Sequence, residues 1–278
     1  MHDYNYYLRL VEGAVNNINY PAQPANLYAP IAYTMKQGGK RVRPVLTLMT
    51  CEAMGGDPVK AVNVALGIEL FHNFTLLHDD VMDRADVRRG KPTVHCKWND
   101  NVAILSGDAM LTMATQAVSR VDANIVQPMV ELFNDTAMKV YEGQQFDMDF
   151  ESRNDVTVDE YIEMIRLKTS VLLGCACKAG ALVAHATEED ACSIYDMAVN
   201  LGLAFQLQDD YLDVWGDPVT FGKEIGGDIV NNKKTFLLIN AIVNYSHNAL
   251  DLLHETKMSY DAYKVFEGII NRLADREK

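Results

Sequence analysis

The chain has 278 residues, 49% hydrophobic and 23% charged, with a formal net charge of −13 and a pI of about 4.9. That length and balance fit a globular protein with a sizeable core and exclude a general nucleic-acid binder, whose surface must be basic. The five cysteines (Cys51, Cys96, Cys175, Cys177 and Cys192) have no regular spacing and form no CxxC pair, which points to a reducing, cytoplasmic setting rather than a disulfide framework.

Strand signals are nearly absent, and helical periodicity is common. The first distinctive segment is Gly38-Gly39-Lys40-Arg41-Val42-Arg43-Pro44, two glycines ahead of three cations. After the breaker Gly55-Gly56-Asp57-Pro58, apolar spacing predicts a largely buried helix over Ala61–Leu77. That helix runs into Asp79-Asp80-Val81-Met82-Asp83, and Arg88-Arg89-Gly90 follows. Further helices are predicted over Ala103–Val118, Ile125–Val140, Tyr161–Val183, Ser193–Val214 and Thr235–Val243. The longest apolar run, Val171–Ala184, is too short to span a bilayer, and Lys178 interrupts it. Gly216-Asp217-Pro218 and Gly226-Gly227 are breakers near the end. No composition shift marks a linker, so residues 1–278 read as one all-α domain of about ten helices, larger than a four-helix bundle.

The acids carry the chemistry. Asp79 and Asp83 lie four residues apart, on one helical face. Like charges at that spacing weaken a helix unless a cation sits between them. Carboxylate oxygens suit hard cations such as magnesium, which typically takes one or two carboxylates plus substrate phosphates. The segment Gln206-Leu207-Gln208-Asp209-Asp210-Tyr211-Leu212-Asp213 repeats the arrangement among apolar residues. Two acidic clusters on buried-looking helices call for compensation, because unpaired buried carboxylates are costly. Facing each other, they would hold several magnesium ions.

The cations form a matching set. Glycines let a backbone approach a phosphate, and Lys and Arg neutralise it. Besides Lys40, Arg41 and Arg43, the sequence offers Arg88, Arg89, Lys168-Thr169, Lys223 and Lys233-Lys234-Thr235. A diphosphate held by metal on one side and by cations on the other accounts for both sets together. No Ser/His/Asp or Cys/His constellation is evident.

The segments HDDVMDRADVRRGKPTVH, Gly38–Pro44 and QLQDDYLDVWGDPVTFGKEIGGD, in that combination, resemble the trans-isoprenyl diphosphate synthases, the farnesyl/geranylgeranyl diphosphate synthase or polyprenyl synthetase family. The resemblance runs from Tyr7 to Ile239. It implies a helical bundle around a central cavity, a homodimer, and condensation of isopentenyl diphosphate with an allylic diphosphate (dimethylallyl, geranyl or farnesyl). The two aspartate-rich motifs match at Asp79, Asp80 and Asp83 and at Asp209, Asp210 and Asp213, with Asp79, Asp83, Asp209 and Asp213 as metal ligands for about three magnesium ions. Isopentenyl diphosphate would sit against Lys40, Arg43, His72 and Arg89. The allylic diphosphate would meet Arg88, Lys168, Thr169, Gln206, Lys223 and Lys233, with Lys168 also counted among the catalytic groups.

Product length would be set along the helix that carries Asp79. At 1.5 Å per residue, Phe74 lies roughly 7–8 Å below Asp79 and Phe71 about 12 Å below. With small Thr75 beside them, these rings would stop the product at C15 or C20. One departure from the family pattern is a shortened stretch after Ala241, where Ile242–Tyr245 runs almost directly into Ser246–Glu255. Two rival readings stay open at this point: a class I terpene cyclase, and a non-catalytic subunit of a heteromeric synthase. The intact second aspartate motif and Gly38–Pro44 favour elongation over both.

Overall fold

The computed structural model describes residues 1–153, 156–215, 248–256 and 259–274. The chain clusters into two compact units: Met1–Glu131 with Leu182–Ala184, and Leu132–Ala181 with the chain from His185 onward.

The first unit holds α1 (Tyr4–Asn16), α2 (Ala25–Met35), α3 (Val42–Ala53), α4 (Val62–Met82), the short α5 (Val94–Lys97), α6 (Asp100–Val118) and the start of α7 (Val126–Glu151). Two of its helices begin on side-chain caps: Asp3 accepts from the Tyr6 amide and Asn99 from the Val102 amide. Each satisfies an otherwise orphaned N–H. Helix α4 buries Val64, Ala65, Ile68, Leu70, Phe71, Phe74 and Leu77, covering several of its faces, as its unbroken apolar character requires. It packs along α6, and two glycines mark the closest approaches. A Cβ at Gly67 would meet the Ala114 carbonyl oxygen at 2.9 Å, and one at Gly107 would run into the His78 ring. Overpacking of this kind costs about 1–3 kcal/mol.

The β structure among the described residues is one hairpin after α4, β1 (Val87–Arg88) against β2 (Lys91–Pro92), antiparallel with Arg88 opposite Lys91. Its loop residues Arg89 and Gly90 both have positive φ, 53° and 71°. That pairing gives the turn whose twist matches two antiparallel strands.

The second unit holds the rest of α7, α8 (Val158–Ile165), a π-helical turn (Arg166–Ser170), most of α9 (Val171–Val183), α10 (Glu188–Trp215), a helical stretch over 248–255, and α11 (Tyr260–Ala274). Its core contains Phe150, Tyr161, Met164, Ile165, Leu203 and Leu207. A capping box opens α8: Thr157 and Glu160 each accept from the other's backbone amide.

The all-α expectation holds, with two differences in detail. The helix expected over Tyr161–Val183 is two helices joined by the π-turn, a local widening that apolar periodicity does not register. Helix α7 runs on to Glu151, eleven residues past the expected end at Val140, because its second half is amphipathic rather than broken. The helix expected over Thr235–Val243, and the shortened stretch that follows Ala241, lie outside the described residues.

Candidate active site

In the first unit, Gly38 and Gly39 turn the chain with φ values of 78° and 144°, which glycine adopts without steric cost. The loop they begin is held at three points. The Tyr4 hydroxyl donates to the Lys40 carbonyl at 2.9 Å, Arg89 donates through Nη1 to the Gly38 carbonyl, and Arg41 turns inward. Lys40 itself is exposed. Arg43 stands in the first turn of α3, with Nη1 3.3 Å from Nε2 of His72 on α4. A guanidinium has no acceptor, so that imidazole nitrogen accepts and Nδ1 carries the ring proton.

Burial, then the charges of Arg43, Arg89, Arg88 and Arg41, hold the His72 pKa well below its ordinary value. The imidazole is therefore neutral near pH 7. Burial, together with the repulsion of Arg41 and Arg88, likewise lowers the pKa of Arg89. In a chain of net charge −13, these guanidiniums concentrate positive potential around one histidine. Such a focus favours a small anion.

Arg41 departs from the sequence reading, which grouped it with Lys40 and Arg43 as a phosphate cation. Its side chain is 1% exposed, with Nη1 2.5 Å from Glu69 Oε1 and Nε 2.9 Å from Glu12 Oε1. Burial opposes its charge, but Glu69 and Glu12 together raise its pKa above the ordinary guanidinium value. Arg41 is an internal tie, since it faces protein carboxylates rather than solvent.

The first aspartate motif closes α4. Asp83 is the C-cap, exposed, and its amide donates to the Asp79 carbonyl at 2.8 Å. Asp80 is buried, and Arg88 Nε from the hairpin donates to its Oδ1 at 2.7 Å. Burial raises the Asp80 pKa while the Arg88 charge opposes that rise. Arg88 Nη2 also lies 3.6 Å from Asp79 Oδ2. Phe71 is fully buried, and Phe74 is 5% exposed with its ring centroid 4.8 Å from that of His78. The Thr75 hydroxyl donates to the His72 carbonyl at 2.8 Å, so its small side chain is turned back onto its own helix.

In the second unit, Lys168 and Thr169 sit on the π-turn. The turn lies tightly against α7 at Gly143, where a Cβ would collide with the Lys168 backbone. One helical turn on, Asp147 Oδ2 meets Lys168 Nζ at 2.5 Å. The Thr169 hydroxyl donates to Gln206 Oε1 at 3.2 Å, and Gln206 Nε2 donates to Asp210 Oδ1 at 3.2 Å. Asp210 is 2% exposed, and the Tyr161 hydroxyl donates to its other oxygen. Asp209 is half-buried, and Asp213 lies in the last turns of α10. Lys223 and Lys233 lie outside the described residues.

The structure thus brings Arg43, His72 and Arg89 together around the Gly38–Lys40 loop, Arg88 onto the first aspartate motif, and Thr169 and Gln206 onto the second. Sequence reading missed Glu69, Asp147 and Tyr161. Only Asp147 left a hint, an acid on the amphipathic second half of α7; the others look like ordinary helix residues. Among the described residues, no three His, Cys, Asp or Glu side chains are gathered into a ready metal cage. The donor set still fits magnesium, because that ion takes few protein carboxylates and completes its shell with water and phosphate oxygens.

Residues 24–268 match the family model described as Polyprenyl synthetase. The chain is 41% identical over 247 residues to a short chain isoprenyl diphosphate synthase of Methanothermobacter thermautotrophicus, covering 88% of this chain and 76% of that one. It is 40% identical over 233 residues to a geranylgeranyl diphosphate synthase of Methanosarcina mazei, covering 83% and 72%. A crystal structure of a geranylgeranyl pyrophosphate synthase superposes with a TM-score of 0.93 at 40% identity, over 100% of both chains. With its motifs in place and nearly its whole length matched, the chain belongs to the polyprenyl synthetase family.

Proposed function

We propose that the chain joins isopentenyl diphosphate to an allylic diphosphate and releases farnesyl or geranylgeranyl diphosphate and inorganic diphosphate. The observation that carries this reading is the neutral His72 ringed by Arg43, Arg89 and Arg88, a cationic focus on the same helix that ends in Asp79–Asp83. A terpene cyclase has no use for a second diphosphate site, so this focus favours elongation. The relatives named as geranylgeranyl diphosphate synthases favour a C20 product within the C15–C20 range.

Lys40, Arg43, His72 and Arg89 hold isopentenyl diphosphate in this account. His72 accepts from Arg43 through Nε2, which leaves Nδ1–H to donate to a phosphate oxygen. Lys168, Thr169, Gln206 and Arg88 serve the allylic diphosphate, joined by Lys223 and Lys233. Magnesium, when bound by Asp79, Asp83, Asp209 and Asp213, would offset charge building on the departing diphosphate; about three ions per site suit that many carboxylates. The allylic carbon–oxygen bond breaks with its electron pair leaving on diphosphate, the isopentenyl double bond attacks the allylic carbon, and the released diphosphate takes the proton that the new chain then loses. The cations lower the barrier by stabilising the departing diphosphate, with no nucleophilic side chain required. Buried Phe71 and Phe74 bound the product tail.

The same reading takes residues 1–278 as one functional domain acting in the cytoplasm as a homodimer. No helix among the described residues is long and apolar enough to cross a membrane. Ile104 and Leu105 on α6 are 45% and 60% exposed, and a second copy would cover them. Purified protein given magnesium, labelled isopentenyl diphosphate and each allylic primer should yield a C15 or C20 alcohol after dephosphorylation. Cyclic hydrocarbon without isopentenyl incorporation would support a cyclase instead, and no turnover with any primer would support a non-catalytic subunit.

A further inference from the structure

We propose that Arg41, with Glu69 and Asn73, is a positioning relay that fixes the Gly38–Arg43 loop for isopentenyl diphosphate without touching the substrate. The proposal rests on the reading above that this loop holds that substrate. Arg41 lies between the two candidate ligands Lys40 and Arg43, yet it is 3% exposed and points the other way. Its backbone is left-handed, with φ 49° and ψ 32° at the N-cap of α3. Residues with a Cβ are uncommon there, and glycine would fit without strain. A strained backbone together with a desolvated guanidinium is a costly choice for a surface loop, so the side chain must return something to it.

Its contacts show what it returns. Nη1 reaches Glu69 of α4 at 2.5 Å, Nη2 reaches the Met35 carbonyl at the end of α2 at 2.8 Å, and Nε reaches Glu12 of α1 at 2.9 Å. One planar fork thereby ties the loop to three helices at once, which the point charge of a lysine does not reproduce. Glu69 is itself held. Asn73 Nδ2 donates to the Glu69 carboxylate and to the Glu69 carbonyl, each at 2.8 Å. Asn73 is 1% exposed and lines a small pocket with Asp80, Arg88 and Arg89. The relay therefore runs from the loop to Asn73 on α4, whose pocket the hairpin arginines Arg88 and Arg89 also line. Its direction explains why the middle cation of Lys40-Arg41-Val42-Arg43 faces inward: it sets where its two neighbours point.

The test is a split of kinetic constants in the full-length protein. In the double variant Arg41→Met/Glu69→Met, apolar side chains of similar reach replace the buried pair and leave no buried charge isolated, since Glu12, which also loses Arg41, is 38% exposed. KM for isopentenyl diphosphate should rise tenfold or more, with KM for the allylic substrate within twofold and helix content unchanged. Arg41→Lys should recover part of that loss. Asn73→Ala, which frees the Glu69 carboxylate while sparing Arg41, should raise the same KM three- to fivefold and serves if the double variant does not fold. A lowered melting temperature with both KM values unchanged in Asn73→Ala and Arg41→Lys would overturn the proposal and leave the cluster a stability element. Calorimetric titration with isopentenyl diphosphate separates it from the reading beneath it. A wild type that does not bind defeats that reading and the relay with it, whereas a wild type that binds no better than the variants defeats the relay alone.

Discussion

The two aspartate motifs solve one problem with different partners. In each, the second acid is buried and held by protein: Asp80 by the cation Arg88 and, among the described residues, Asp210 by the neutral donors Tyr161 and Gln206. In each, the proposed metal ligands are the first and last acids, Asp79 with Asp83 and Asp209 with Asp213. A buried carboxylate needs a donor, and either kind of donor serves. The two choices differ in what happens when the acid is neutralised. A released Arg88 has Asp79 3.6 Å away and competes with metal for it, whereas a released tyrosine or glutamine carries no charge to compete with.

The largest expected effect falls on the outer acids. Asp79→Ala and Asp209→Ala should each lower turnover by on the order of 10³-fold with normal helix content by circular dichroism. Near-normal turnover of either one at saturating magnesium would break the equivalence of the two motifs.

Next come the cations, which should sort by substrate. Lys40→Ala and Arg43→Ala should each weaken isopentenyl diphosphate by about 1.5–3 kcal/mol, seen as a raised KM for that substrate. Lys168→Ala, which also strips Asp147 of its partner, should chiefly raise the allylic KM. The reverse pattern in steady-state kinetics would exchange the two substrate assignments.

Product length should respond along α4. Phe74→Ala should add at least one isoprene unit, and Phe71→Ala on top of it should add more, as chromatography of dephosphorylated products would show. Gly107 bears on the same point, since an alanine there would push the His78 ring that packs on Phe74. Main products of C30 or longer from the wild type, or unchanged length in the double variant, would place the floor elsewhere.

The smallest effect is on stability. His72 has a depressed folded-state pKa, so below the ordinary value of 6.5 the unfolded chain takes up a proton that the folded one refuses. Its contribution to stability is present above pH 6.5 and is lost as the pH falls toward the folded value. The melting temperature of His72→Leu should therefore fall less steeply than that of the wild type between pH 6.5 and 5. Parallel curves would mean that the histidine is charged in the fold.

How much of this was legible in the sequence depended on the distance over which each feature is decided. The motif acids, Gly38–Pro44 and Arg88-Arg89 are local patterns, and the structure keeps their neighbours together. The inward turn of Arg41 is decided by Glu69 and Glu12, 28 and 29 residues away, and no local pattern records it. The pairing of Tyr161 with Asp210 spans 49 residues. The π-turn bearing Lys168 and Thr169 keeps the apolar periodicity of its flanks and so reads as uninterrupted helix. Asp147 reads as a solvated acid until Gly143 brings α7 against that turn. Patterns fixed within one helix were readable; partners fixed by packing were not.

The most direct test of the division of labour within the motifs is the magnesium concentration giving half-maximal turnover in four asparagine variants. Asp79→Asn and Asp209→Asn should each raise it tenfold or more. Asp80→Asn should also raise it, because Arg88 then turns to Asp79, while Asp210→Asn should leave it within twofold of the wild type. An Asp210→Asn variant that shifts the magnesium requirement as far as Asp209→Asn would contradict the account, since the buried acid would then be a metal ligand and not a support for one.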